Sequence, residues 1–313
     1  MISSRRRPLG RLVRSPASIT ALLVLASGML LGFNLVAVKL AIRGSDPVTI
    51  QAVATVIGVI AMVLVPTCFG RGSLPNRQES RAAMIVGLAM TVASSLFISF
   101  GVQRIDAGLS ALIMSSTPIM TLTLSMVLLR ERHSWHGPAG VACGLAGVAT
   151  VSVGAGVSGD SSLSGVVLVL LGALGWSFGL ITMRVFGTGM SAQKLTAWQM
   201  AFGAPILVVV AFVMFGFRID MSVTFVFAVL YMGLMAKALG TVLQLHTIRI
   251  GGAVQASMTA FLMPLFGSLG GVVLLGETID GYEISGAVGI LAGVALVLRA
   301  RGTLPPTPAV PPV

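Results

Sequence analysis

Lys237 is the residue in this sequence that most needs a chemical explanation. It lies inside an apolar stretch, fifteen residues after Ser222 and twelve before Arg249. A lysine at the centre of a membrane costs ~2.5–3.5 kcal/mol to insert, and no Asp or Glu lies at similar depth in any apolar stretch. Three explanations stay open: an uncharged amine, a charge solvated by a water-filled chamber, or a counter-ion for an anionic group. We predict that Lys237 lines a chamber.

Two apolar stretches carry small and polar side chains at helical spacing. The third stretch has Thr91, Ser94 and Ser95, and the eighth has Lys237, Thr241 and Gln244. Separations of three, four and seven residues place each set on one helix face. Such a face either lines a binding chamber or lets helices pack closely, and both interpretations stay open. Asn34 and Trp176, in the first and sixth stretches, complete the residues predicted to contact a bound small molecule.

Two prolines lie near the middle of apolar stretches and are predicted to act as hinges. Pro118 frees the backbone carbonyl of Met114, and Pro264 frees that of Ala260, because proline removes one helical hydrogen bond. A free carbonyl at this depth is tolerated only beside protein, hydroxyl groups or water. Each kink either lets its helix rock or is static, and the sequence leaves both readings open.

Composition excludes whole classes of protein. Of the 313 residues, 56% are apolar and 9% are charged, the mean hydropathy is +1.00, and soluble domains carry about 25% charged residues. We therefore exclude a soluble enzyme, a nucleic-acid-binding domain and a disordered chain. We expect no catalytic residues, no cofactor and no metal. His133 and His136 have a metal-binding spacing, but we interpret them as part of an interfacial loop.

Ten stretches are apolar enough to cross a membrane as helices. They cover about 18–38, 48–69, 82–102, 107–129, 137–155, 163–183, 195–217, 222–247, 251–275 and 284–298. With the amino terminus in the cytoplasm, 15 of the 20 Lys and Arg residues face inward, four face outward and Lys237 lies within the membrane. This asymmetry predicts a multi-pass protein of the cytoplasmic membrane with both termini inside.

The chain repeats itself at a shift of 146 residues. Pro118 falls on Pro264, Glu131 on Glu277 and Thr91 on Lys237, and the pentapeptide LAGVA occurs at 145–149 and 291–295. Each half holds five predicted helices, and this odd number inverts the second half relative to the first. We predict a basic amino terminus over 1–17, repeats over 18–155 and 156–300, and a Pro-rich disordered tail over 301–313. Inverted repeats are typical of secondary transporters.

Several segments resemble the EamA domain. They are Pro118 with Glu131, Pro264 with Glu277, GFN at Gly32–Asn34, GALGWSF at 172–178, and LYMG at 230–233. The resemblance covers about residues 18–300 and implies a ten-helix carrier of the drug/metabolite transporter superfamily, often an exporter. It also implies that a small or hydroxyl residue is common at the position of Lys237.

These observations predict an all-α integral membrane protein of two inverted five-helix EamA-type repeats. We expect it to export an amino-acid-like or organic-acid substrate by alternating access, as a monomer in the lipid bilayer. Glu131 and Glu277, at helix ends, are predicted to hold termini or gate contacts. The alternatives are an integral membrane enzyme and a structural membrane protein, and the enzyme would need histidines joined by intramembrane acids, which the apolar stretches lack.

Reporter fusions test the predicted inversion. Alkaline phosphatase fused after Asp160 is expected to be active, and the same enzyme fused after Arg132 is expected to be inactive, because cationic loops remain in the cytoplasm. A fusion at Asp160 that reports the same side as the arginine-rich amino terminus would contradict the inverted arrangement.

Overall fold

The computed structural model describes residues 16–64, 73–104, 110, 113–131, 134–154, 163–186, 189–275 and 281–299. Every regular element within these ranges is a helix, which confirms the all-α prediction for the described chain. Most of the predicted basic amino terminus and the whole Pro-rich tail lie outside the described residues, as do His133, Asp160 and Glu277.

The helices whose bounds are described form ten segments, and Ser110, Ile113 and Met114, before the fourth of them, are also helical. In order they are α1 (Pro16–Ala41), α2 (Pro47–Val59, continued by a π-helix over Ile60–Leu64), α3 (Arg77–Val86, π-helix Gly87–Ala93, then Ser94–Gly101), α4 (Thr117–Leu128), α5 (His136–Gly154), α6 (Leu163–Phe186), α7 (Ala192–Phe215), α8 (Val223–Leu230, π-helix Tyr231–Gly240, then Thr241–Gly251), α9 (Ala253–Ser257 and Thr259–Leu275) and α10 (Gly281–Arg299).

Some of the helices begin where the sequence supplies a capping side chain. Asp46 accepts hydrogen bonds of 2.9 Å from the backbone N–H groups of Val48 and Thr49, at the start of α2. Asn76 and Glu79 form a reciprocal capping box at the start of α3. Such caps satisfy backbone N–H groups that the first helical turn leaves without partners.

The outer surface of the helices is apolar, as a bilayer requires. Large apolar side chains with at least 60% of their surface exposed include Val209, Phe212, Val213, Phe227, Val273 and Val288. Within the described ranges, six helices are long and apolar enough to cross a membrane, namely α1, α3, α6, α7, α8 and α9. The chain is therefore an all-α membrane protein, and the count of ten spans stays a prediction.

Glycines bring α5 and α10 together at backbone distance. A Cβ atom on Gly140 would lie 2.7 Å from the carbonyl oxygen of Gly293, and one on Gly147 would lie 2.6 Å from that of Gly286. The two helices are therefore antiparallel. The repeat shift exchanges Gly140 with Gly286 and Gly147 with Gly293, so the two contacts are equivalent by the pseudo-twofold relation. This symmetry is what an inverted repeat predicts.

The two halves are interleaved rather than side by side. Helix α1 of the first half packs against α8 and α9 of the second, and α6 of the second packs against α3 and α4 of the first. Glycines again allow the approach: a Cβ on Gly28 would lie 2.6 Å from Leu262 Cβ, and one on Gly179 would lie 2.7 Å from Met90 Cβ. Small residues have this role in membrane helices because no water is expelled to drive packing there.

Substitution of Gly147 tests this close approach. Gly147→Val would place a side chain against the backbone of α10, and such overpacking costs about 1–3 kcal/mol of unfolding free energy. Gly281→Val is the matched control, since nothing lies within 4 Å of a Cβ there. Thermal unfolding in detergent is expected to show a lower midpoint for Gly147→Val alone. Equal midpoints would show that the contact between α5 and α10 is looser than described.

Candidate functional site

Helices α3 and α8 change from α to π geometry at equivalent places. The π segments are Gly87–Ala93 and Tyr231–Gly240, and the repeat shift places the first entirely within the second. Thr91 and Lys237 lie inside them at matched positions. A π-helix widens the turn and is frequently found at functional sites. The repeat therefore preserves a local deformation as well as a sequence pattern.

Lys237 points toward the interior of the helix bundle. It is partly exposed, although its neighbours Ala236 and Ala238 are only 1% and 6% exposed. Met235 and Leu239, two residues away on either side, are 38% and 42% exposed and lie on the lipid-facing surface. Residues two apart on a helix point in nearly opposite directions. Because Lys237 lies opposite these two residues on α8, its side chain is directed into the bundle.

No carboxylate in the described chain forms an ion pair with Lys237. The described acids outside α10, Asp46, Glu79, Glu131 and Asp220, all lie at or beyond helix ends. An ammonium group inside a membrane protein needs water, a carbonyl group or an anion beside it. Within the described chain, therefore, no acidic side chain neutralises Lys237.

Asn34 on α1 lies at the same level as Lys237 on α8. Thr20 approaches Gly251, and Leu31 approaches Gly240, so the two helices are antiparallel with equal steps along each. Three residues beyond Leu31 is Asn34, and three before Gly240 is Lys237. The buried Asn34 Oδ1 atom has no hydrogen-bond partner. A cation and an amide therefore lie at one depth on neighbouring helices.

The polar residues of α3 differ in their burial and in their contacts. The Ser94 hydroxyl donates a 2.9 Å hydrogen bond to the carbonyl oxygen of Gly172 on α6. The buried Thr91 side chain packs against α7, where its Cγ2 atom would be 2.7 Å from a Cβ on Gly203. Ser95 is partly exposed. The Ser94 hydroxyl thus serves helix packing, whereas Ser95 is only partly buried.

Gln244, Thr241 and Trp176 lie nearer the end of α8 that contains Arg249. Gln244 is fully buried and donates from Nε2 to Thr259 Oγ1 at 3.0 Å, while its Oε1 atom has no partner. Thr241 is buried one turn from Lys237. Trp176 is partly exposed and packs against the apolar cluster that contains Leu180 and Leu245. These three residues thus lie closer than Lys237 to the end of the bundle that contains Arg249.

The prolines occupy different structural positions. We predicted one helix over 107–129, but the described helix α4 begins at Thr117, after a turn at Ser115 and Ser116. Pro118 therefore lies in the first turn of α4 rather than in mid-helix, a position that suits a residue without an N–H group. Thr117 Oγ1 donates a 2.5 Å hydrogen bond to the carbonyl oxygen of Met114. Pro264 lies inside the continuous segment Thr259–Leu275 of α9.

Two ion pairs at one end of the bundle were not predicted from the sequence. Lys194 Nζ on α7 lies 2.7 Å from Glu79 Oε2 on α3, and Arg184 at the end of α6 pairs with Glu131 after α4. Each pair joins one half to the other. The partners are 115 and 53 residues apart in the sequence, so nothing in the sequence indicated that they meet, although Glu131 was expected to hold a gate or a terminus.

Comparisons with known proteins agree with this architecture. The sequence profile of the EamA-like transporter family matches residues 18–153 and again 163–299. The uncharacterized transporter YvbV of Bacillus subtilis is 26% identical over 286 residues, covering 90% of this chain and 92% of that protein. A probable amino-acid metabolite efflux pump of Salmonella typhimurium is 24% identical, covering 84% and 89%. The uncharacterized inner membrane transporter YedA of Escherichia coli is 26% identical, covering 76% and 77%.

A protein of known crystal structure shares the fold. It superposes with a TM-score of 0.74 at 18% sequence identity, and the match covers 90% of this chain and 99% of that one. At this identity the comparison bears on the fold alone.

Cysteine labelling tests the orientation of Lys237. The test uses a chain with Cys68→Ser and Cys143→Ala. In it, Lys237→Cys is expected to react with a charged, membrane-impermeant methanethiosulfonate, because the predicted chamber beside this position would contain water. Leu239→Cys, on the lipid-facing surface of the same turn, is the matched control and is expected to remain unlabelled. Equal labelling of the two positions, or none at either, would contradict the described orientation.

Proposed function

The chain belongs to the EamA-like transporter family, and from this premise we propose that it exports a small acidic metabolite by alternating access. Membrane transport follows from family membership. The acidic class of the cargo, the outward direction of its transport and the alternating-access cycle are our proposal. We infer a compound with a carboxylate or similar group, such as an amino-acid-like or organic-acid molecule, bound between α1 and α8.

The observation that carries the cargo class is the isolated position of Lys237. Its side chain is directed into the bundle, and no described carboxylate forms an ion pair with it. A carboxylate on the cargo would supply the missing counter-charge in a region of low dielectric constant, where charge-assisted hydrogen bonds are strong. Asn34, at the same depth on α1, offers an amide to a second polar group of the cargo.

The proposed binding chemistry lies at only one of two helix pairs that the repeat relates. The repeat relation carries Lys237 onto Thr91 and, with a shift of 145, Asn34 onto Gly179, so the equivalent site between α3 and α6 has no charge and no amide. The symmetric frame supports alternating access, because exchanging the conformations of inverted halves turns an inward-open state into an outward-open one. The asymmetric chemistry supports a single cargo site.

Export and membrane orientation rest on further observations. The efflux pump of Salmonella typhimurium is named as an exporter, and YedA is named as an inner membrane protein. The surplus of cationic residues in alternate loops favours cytoplasmic termini in the same membrane. We therefore propose movement of cargo out of the cytoplasm across the inner membrane.

Transport of a labelled metabolite mixture tests the proposed function. Proteoliposomes are loaded with a uniformly ¹³C-labelled bacterial metabolite extract, and mass spectrometry identifies the labelled compounds that leave. The wild-type chain is expected to release carboxylate-bearing compounds at a saturable rate. Lys237→Met is expected to slow their release by roughly ten- to a hundredfold, the worth of a hydrogen bond to a charged group.

The matched variant Lys237→Arg keeps the positive charge and is expected to retain much of the release. If Lys237→Met releases acidic compounds as fast as the wild type, the proposed cargo contact is wrong. If the wild type releases only uncharged or cationic compounds, the proposed cargo class is wrong although the protein transports.

A further inference from the structure

Two ion pairs between side chains join the halves at the end of the bundle that contains most of the arginines. Glu79 and Glu131 are the two acidic residues that the charge pattern places on the cytoplasmic side. In the structure each of them pairs with a cation from the other half, Lys194 and Arg184 respectively. We propose that these two ion pairs form a latch that must break before the chain opens to the cytoplasm. This inference rests on the proposed alternating-access function.

The residue before Glu131 has a left-handed backbone conformation. Arg130, directly before it, has a φ of 53°, a left-handed conformation that non-glycine residues rarely adopt. The Glu131 N–H then donates to the carbonyl oxygen of Ser125, which turns the chain back under α4. Residues in such conformations persist where the surrounding structure holds them, and they cluster at switch regions and functional sites.

The Arg184 guanidinium lies against Gly252, in space that any larger side chain at position 252 would need. A Cβ on Gly252 would be 2.9 Å from Arg184 Nη1, and Gly252 has a φ of 97°, which favours glycine. The arginine is therefore packed between the end of α4 and the junction of α8 with α9. The helix that carries Lys237 ends beside this ion pair, so movement of α8 and rupture of the pair are coupled by contact.

The Glu79 pair joins the first turns of α3 and α7. Glu79 also accepts the Asn76 backbone N–H at 2.7 Å as part of the capping box, and the Lys194 N–H donates to Ser191 Oγ at 3.1 Å. Both partners are thus fixed at helix starts. Glu79 and Lys194 come from different repeats, so an opening that moves these first turns apart would break the pair. Deeper in the bundle the two helices are in backbone contact, since a Cβ on Gly87 would lie 2.4 Å from the carbonyl oxygen of Gln199.

Two neutral hydrogen bonds are described at the opposite end of the bundle. Ser45 Oγ donates a 2.7 Å hydrogen bond to the carbonyl oxygen of Arg218, and the Asp220 N–H donates a 2.8 Å bond to that of Gly44. Partly exposed ion pairs weaken as salt rises, whereas neutral hydrogen bonds are little affected. The two ion pairs at the arginine-rich end are therefore expected to weaken as ionic strength rises, whereas these two hydrogen bonds are not.

Accessibility of a reporter cysteine tests the latch without any cargo. Thr241→Cys, one turn from Lys237 toward the latched end, is introduced into the Cys68→Ser, Cys143→Ala chain and labelled in inside-out vesicles. The double variant Glu79→Gln with Glu131→Gln is expected to raise the labelling rate by roughly five- to thirtyfold, the worth of two partly exposed ion pairs. Glutamine at position 79 still completes the capping box. Asp220→Asn, at the opposite end, is the control and is expected to leave the rate unchanged.

Salt provides a second readout that needs no substitution in the latch. Raising KCl from about 0.05 M to about 1 M shortens the screening length from roughly 14 Å to about 3 Å and is expected to accelerate labelling of the intact latch but not of the double glutamine variant. Unchanged labelling in the double variant, or equal salt effects with and without the latch, would overturn this proposal. Both readouts are independent of cargo, so either result leaves the metabolite-release experiment to decide the proposed function.

Discussion

Close approach of helix backbones is the constraint on which the rest of the structure depends. Two halves that point in opposite directions across a bilayer can share one interior only if their helices interleave. Between α5 and α10 this requires glycine, because a Cβ at Gly140 or Gly147 would meet the backbone of the other helix. The same principle brings α1 against α9 and α6 against α3. Once these contacts are fixed, the register between α1 and α8 is fixed as well, and Asn34 comes to the level of Lys237.

That register explains how one charge can be tolerated within the bundle. Lys237 lies on a helix whose lipid-facing positions are Met235 and Leu239, and its own side chain points the other way. The π geometry of α8 widens the turn at this depth, and α3 has the equivalent deformation in the other half. The symmetric frame thus supplies a place where two halves meet, and the asymmetric residues Lys237 and Asn34 give that place its chemistry. The two ion pairs at the arginine-rich end of the bundle join the same two halves.

Much of this could be predicted from the sequence, because apolar stretches, charge bias and a repeat are local or periodic signals. The helical class and the equivalence of Thr91 with Lys237 follow directly from them. The break before Thr117 was missed because apolar residues continue on both sides of it, and the polar run at 115–117 was interpreted as side chains around a kink. The pairing of Glu79 with Lys194 could not be predicted, since it depends on which helices meet in space. The commitment of the Ser94 hydroxyl to Gly172 likewise depends on the approach of α6, so Ser94 could not be separated from Ser95 by spacing alone.

Paired distances measured by double electron–electron resonance test the central claim most directly, namely that the interleaved halves open one end at a time. Spin labels at Gln78 and Gln193 report the arginine-rich end, and labels at Arg43 and Met221 report the opposite end; all four residues are exposed. The account predicts that Glu79→Gln with Glu131→Gln lengthens the first distance and shortens the second in the same sample. A first distance that lengthens while the second stays constant would contradict alternating access, and two constant distances would contradict the movement altogether.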